Sequence, residues 1–243
     1  MIEKSDILTL SNGMEFMRIP AGKFLMGSND SVFRDENPQH TVDIPYDYWM
    51  ARFPVTNAQY NQFQERAFDK GKENHPVVRV IWRGAMIYCQ ALNQLLKAEL
   101  PSSTVVRLPT EAEWEKAARG TDGREYPWGD QFDKNKCNTS ESEKKDTTPV
   151  GLYSPQGDSP YGCADMAGNV WEWTHSQLRP YPYNVHDGRE HEITHSVCVL
   201  RGGSFETTGR LVRCTYRHNF YIFDSFNLDN IGFRVCIAPP LPK

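Results

Sequence analysis

Helical periodicity stops at Gly120 and does not return. From there to about Arg189, Gly, Pro, Asn, Asp and Ser interrupt the chain every few residues, so no long amphipathic stretch can form. Such a chain must fix long irregular segments by other means: bound cations, tryptophan packing or internal ion pairs. The regular elements fall in the first half. Met14–Ile19 alternates and ends at Pro20, Ala21-Gly22 can turn, and Lys23–Met26 resumes, which predicts a hairpin. Short strands are expected at 41–44 and 46–53. Thr56 with Gln59 reads as a capping box ahead of a helix carrying Tyr60 and Phe63. Apolar residues at helical spacing from Trp82 to Leu96 predict a helix ending near Lys97. In a third helix, Thr110 is the N-cap, Glu113 returns the capping bond and Gly120 ends it. Residue pattern alone gives a single, loop-rich α+β domain.

The 243 residues show no internal repeat, linker or break in composition, so one domain over 1–243 is expected. The net charge of −4 without a basic run argues against nucleic acid as a partner. No apolar stretch approaches the ~20 residues of a membrane span, and the acidic start does not resemble a secretory signal. The six cysteines form no C-x-x-C pair and have irregular gaps, which points away from zinc. They read as reduced, small core hydrophobes in a cytoplasmic protein.

Several strings occur in order: Val55-Thr-Asn, His75-Pro-Val-Val, Arg107-Leu-Pro-Thr-Glu-Ala-Glu-Trp-Glu, Tyr126-Pro-Trp-Gly-Asp, Asp165-Met-Ala-Gly-Asn-Val-Trp-Glu-Trp-Thr, Leu200-Arg-Gly-Gly-Ser-Phe and Ile231-Gly-Phe-Arg. Together, over about residues 14–238, they resemble the formylglycine-generating enzyme (sulfatase-modifying factor) family. The resemblance implies a C-type-lectin-like fold of small antiparallel sheets, two main helices and long irregular segments. It also implies structural calcium held by Asp165, the carbonyls of Gly168 and Val170, and Glu172. Hard oxygen donors suit that ion, although spacing alone equally allows a solvated acidic loop. A second family site would use Asn138 and the carbonyl of Thr139, and its usual acid aligns near Ser142. Arg107 and Arg234 read as buried partners of carboxylates. The seven histidines show no facial-triad spacing and are expected mostly at the surface. Ser204 is expected to be structural.

Active members of the family resembled here bind copper(I) through two cysteines five residues apart, soft ligands suited to that metal. In this alignment Cys214 takes the second position and Gly209 the first, so copper and oxidase chemistry are not expected. Val212-Arg-Cys-Thr-Tyr-Arg is also similar to the ergothioneine-type sulfoxide synthases, whose iron is held by an N-terminal helical domain, and no such domain is expected in this chain.

The stretch Tyr216–Asn230 carries Phe223 and Phe226 where family members resemble Pro and Arg, and adds Phe220, Tyr221 and Ile222. One reading is a core segment. The other is a recognition surface, because the family places this stretch in solvent-facing loops and aromatics there give large contact area at low entropic cost. The pattern is similar to the variable proteins of diversity-generating retroelements. These scatter Asn codons by adenine mutagenesis into a set lacking Lys, Gln, Glu, Met and Trp, and none of the five occurs from Thr207 through Ile237. The expectation is a non-catalytic ligand-binding protein with a variable, aromatic-rich surface at about 206–230. Its candidate contacts are Thr207, Thr208, Leu211, Tyr216, His218, Phe220, Tyr221, Phe223, Ser225, Phe226 and Leu228, and its partner is a protein or peptide. The alternatives are an oxidase of a thiol substrate that keeps Cys214 as a ligand, and a structural or regulatory subunit.

Overall fold

A computed structural model describes residues 6–30, 32–191, 197–221 and 228–242. Phe223, Ser225, Phe226 and His195 lie outside the described residues. The strands are β1 (Ile7–Thr9), β2 (Glu15–Ile19), β3 (Gly22–Met26), β4 (His40–Ile44), β5 (Tyr48–Ala51), β6 (Val105–Arg107), β7 (Trp171–Gln177), β8 (Val197–Arg201), β9 (His218–Tyr221), β10 (Ile231–Gly232) and β11 (Cys236–Ala238). The α-helices are α1 (Asn57–Phe63), α2 (Trp82–Leu95) and α3 (Glu111–Arg119). This is a loop-rich α+β, C-type-lectin-like fold. Its largest sheet has the order β1-β2-β5-β11-β6, a second has β10-β7-β8-β9, and β3 pairs with β4 alone.

The expected hairpin does not form. β2 lies between β1 and β5, whereas β3 pairs only with β4. The chain turns a corner between sheets at Pro20–Gly22. Lys116 Nζ donates to the carbonyls of Pro20 (2.6 Å) and Gly22 (2.8 Å), and Asp47 accepts the Ala21 N–H at 2.7 Å. Three tertiary hydrogen bonds thus hold apart two strands whose sequence reads as adjacent. The capping boxes at Thr56/Gln59 and Thr110/Glu113 form with both reciprocal bonds, a feature worth about 1 kcal/mol each. Gly120 ends α3 at φ 72°, a left-handed position that disfavours a side chain.

α3 is buried along its whole length although five of its nine residues, Glu111, Glu113, Glu115, Lys116 and Arg119, are charged; each bonds to another part of the chain. Trp114 and Ala117 fill the space between β2, β5 and β11 on one side. Trp171, Trp173, Leu200, Phe233 and Ile237 form the other core with α2. All six cysteines are free and buried.

Candidate functional site

The C-terminal strand β9 runs antiparallel to β8, with His218 opposite Leu200 and Phe220 opposite Cys198. Alternation along a strand places His218 and Phe220 on one face, and both meet tryptophans of β7. His218 stacks on Trp171 with centroids 4.9 Å apart, and Phe220 meets Trp173 edge-on at 5.8 Å. Tyr216 touches Trp171 at 5.9 Å and packs edge-to-face on Phe33 at 5.3 Å. The result is a continuous aromatic row, Phe33–Tyr216–Trp171–His218, with Trp171 buried beneath and the other three half-buried. Arg213 and Arg210 lie over the Phe33 ring at 4.5 and 5.0 Å, within cation–π range.

A lattice of buried ion pairs holds this row in place. Arg213 is bonded to Glu36 at 2.7 Å. Arg217 forks onto Glu111 at 2.5 and 3.0 Å and stacks over Tyr181 at 4.1 Å. Arg201 pairs with Glu115 and lies 3.5 Å from Glu111. Burial pushes the Glu111 carboxyl up, but the charges of Arg217 and Arg201 prevail and hold it below the ordinary carboxylate value. Burial lowers the His218 pKa, so its ring favours the neutral form against Trp171.

Of the sequence-derived candidates, the structure brings Tyr216, His218 and Phe220 together. Thr208, exposed, precedes a short 3₁₀ turn, Gly209–Leu211, at whose end Leu211 is half-buried. Thr207 is buried, its hydroxyl accepting the Ser204 N–H at 3.0 Å. Leu228 is a correction: only 5% exposed, it belongs to the core beside Ile231 and Phe233. The Tyr221 backbone pairs with Val197. The reading of this stretch as core was therefore right for Leu228 and half right for Phe220. Phe33, Arg210 and Arg213 were missed. Phe33 sits in a polar loop whose composition carries no sign of a tertiary partner 183 positions away (216 less 33).

The oxidase positions are occupied differently. A Cβ on Gly209 would lie 2.5 Å from the Phe132 ring, so no cysteine fits there without displacing that ring. Cys214 is fully buried, and burial pushes its thiol up to about 12. Arg107 and Arg234 are buried and paired as expected, with Glu113 at 2.7 Å and Glu172 at 2.6 Å.

Among the described residues no three His, Cys, Asp or Glu side chains converge as a metal site, so a cation would depend on carbonyl and amide oxygens. Asp165 is buried, one oxygen accepting the Gly151 N–H at 2.7 Å, and burial raises its carboxyl to about 6. Its local positive charge is Arg234, which is forked onto Glu172 at 2.6 and 2.7 Å while Trp114 Nε1 donates to the same carboxylate at 2.7 Å. Asp165 thus fits a cation ligand, whereas Glu172 is already satisfied. At the other position, Asn138 Oδ1 and the Thr139 carbonyl both lie 2.8 Å from the Ser142 hydroxyl, which stands where an acid is usual in the family.

Residues 8–239 match the family described as "Sulfatase-modifying factor enzyme 1-like domain". The "Serine/threonine-protein kinase pkn1" of Chlamydia caviae is 32% identical over 89% of this chain, which spans only 37% of that protein. The "Inactive C-alpha-formylglycine-generating enzyme 2" of Bos taurus is 30% identical over 93% of this chain and 90% of its own length. Among solved structures, "Treponema denticola variable protein 1" superposes with a TM-score of 0.75 at 23% identity, covering 96% of this chain and 98% of that one. No helix among the described residues is long and apolar enough to cross a membrane.

Proposed function

The chain belongs to the sulfatase-modifying factor family, and from that premise we propose that it is a ligand-binding member without chemistry of its own, one that recognises a protein or peptide through the aromatic row and the adjoining 206–230 segment. The observation that carries this reading is the pairing of a half-buried aromatic row with a buried ion lattice. The lattice makes the floor rigid, so little order is lost on binding, and Tyr216 and the two arginines are of the side-chain types that dominate recognition surfaces. The shared fold of the Treponema variable protein supports the narrower reading, that 206–230 is a diversified segment. Cytoplasmic location and structural calcium at Asp165 are part of the same proposal. When bound, calcium would add positive charge beside the buried Asp165 carboxylate, whose neighbour Arg234 is already forked onto Glu172.

The test is display selection of peptides on the full chain, followed by calorimetry of the selected peptides. Binding is expected to fall at least tenfold in His218→Ala and Tyr216→Ser, with the melting transition still cooperative. Equal affinity for wild type and both variants would overturn the assignment of the surface. Copper(I) binding together with oxygen uptake on a cysteine peptide, both lost in Cys214→Ser, would instead establish an oxidase. Narrower still, a near-repeat of the 3′ coding sequence differing only at adenines is expected nearby in the genome.

A further inference from the structure

Strand β7 carries two tryptophans toward the aromatic row, and then its register with β8 slips between Trp173 and Gln177. Such irregularities re-aim side chains. Here the slip takes the His175 N–H to the Pro109 carbonyl at 2.8 Å and places the imidazole, contrary to a surface role, inside the protein at 3% exposure. His175 Nδ1 lies 3.0 Å from Glu190 Oε2. The other oxygen of Glu190 accepts from the Ser176 hydroxyl and from Tyr183 at 2.9 Å. Burial first, and the Glu190 charge second, hold the Tyr183 phenol well above its ordinary pKa, so it remains a donor. With Nδ1 engaged by Glu190, Nε2 is the ring nitrogen left to meet a ligand, and it accepts a hydrogen bond in the tautomer whose proton sits on Nδ1.

No hydrogen bond within the described residues engages Nε2, and the ring lines a cavity of about 570 Å³. That is the size of small-molecule sites, which run from roughly 300 to 1,000 Å³. The walls are Met86 of α2, Val105 of β6 and Leu241, with Gln90 at the edge. Of the other polar residues that line it, Gln90 and His191 are exposed, and Asn93 and Arg107 are committed elsewhere. Asn93 exchanges two hydrogen bonds with the Val106 backbone at 2.6 and 2.7 Å, and Arg107 is forked onto Glu113. A firmly held imidazole whose second nitrogen has no partner among the described residues, at the wall of a partly open cavity, is a recognition device for one hydrogen-bond donor on an otherwise apolar ligand.

We propose that this cavity, separate from the aromatic row, is a second binding site that takes a small apolar molecule bearing a hydroxyl, with phenols as the matching class. His175 is the specificity residue, and Glu190, Ser176 and Tyr183 position it. The site shares none of the aromatic-row residues, so it stands or falls independently of the peptide reading.

The probes are p-cresol and toluene, which match in shape and differ by the hydroxyl. Both are titrated into the full chain while long-range ¹H–¹⁵N correlations follow the histidine rings. p-Cresol is expected to shift the His175 nitrogens and to bind at least fivefold tighter than toluene. In His175→Phe the two affinities become equal, and Val105→Trp, which fills the chamber from its wall, weakens p-cresol at least tenfold while leaving the peptide affinity of the aromatic row unchanged. Equal wild-type affinities, a p-cresol response confined to other histidines, or no saturation by either probe would overturn the proposal, and none of these results depends on a variant that must fold.

Discussion

Replacing Arg217 with Met tests whether the ion lattice, and not the aromatic packing alone, holds the recognition segment. The guanidinium makes two bonds to Glu111, one to the Asp35 carbonyl at 2.7 Å and one to the Arg179 carbonyl at 3.0 Å. Methionine keeps much of the apolar stem against Tyr181 but leaves Glu111 buried with less compensation. Removing one partner of a buried pair costs about 3–5 kcal/mol. Glu111 still has Arg201 at 3.5 Å and the Tyr181 hydroxyl at 3.1 Å, so the lower end applies, about 3 kcal/mol. For a chain of this size that lowers the melting temperature by roughly 6–12 °C. The double variant Arg217→Met/Glu111→Gln removes both charges and should recover about half of the loss. The sign with pH follows from Glu111. Its folded pKa is depressed below the ordinary 4.5, so its contribution is full above 4.5 and fades as pH falls through the folded value. The gap between wild type and Arg217→Met should therefore narrow in acid. Urea unfolding at pH 7 and below pH 4 measures both quantities. A loss under 1 kcal/mol at neutral pH, or a gap that widens in acid, would refute the argument.

Trp171→Ala, which removes the buried member of the row, should cost about 3–5 kcal/mol and expose the His218 ring, seen as a cooperative transition at lower urea. Burial lowers the His218 pKa, so the folded state binds its proton less readily than the unfolded chain. Stability is then unaffected well above pH 6.5 and falls as pH drops through it, a slope that His218→Phe should remove in a pH series of melting temperatures. Gly209→Cys should destabilise by about 1–3 kcal/mol through overpacking on Phe132, and Phe132→Ala in the same chain should relieve most of it. The Cys214 thiol, buried and pushed up to about 12, should react with a thiol reagent only at the rate of unfolding.

What the residues determined by themselves is local or cumulative. Both capping boxes, the Gly120 stop and the extent of α2 follow from short-range chemistry, and the ordered strings were enough to place the chain in its family. What the tertiary structure decided depends on segments far apart in sequence. Pro20–Gly22 reads as a hairpin turn until Lys116 and Asp47 bind its backbone and send β2 and β3 into different sheets. Phe33 acquires a role only because Arg213 and Tyr216 arrive beside it. Leu228 and Phe220 are both apolar residues of one stretch, yet one enters the core and the other half-covers it, because strand alternation begins only where β8 offers β9 its hydrogen bonds. His175 is one histidine among seven in the sequence. A slip in strand register and a glutamate fifteen residues on make it, among the described residues, the buried histidine, with its ring lining a cavity. Side-chain identity sets which interactions are available, and chain closure over long distances sets which of them are made.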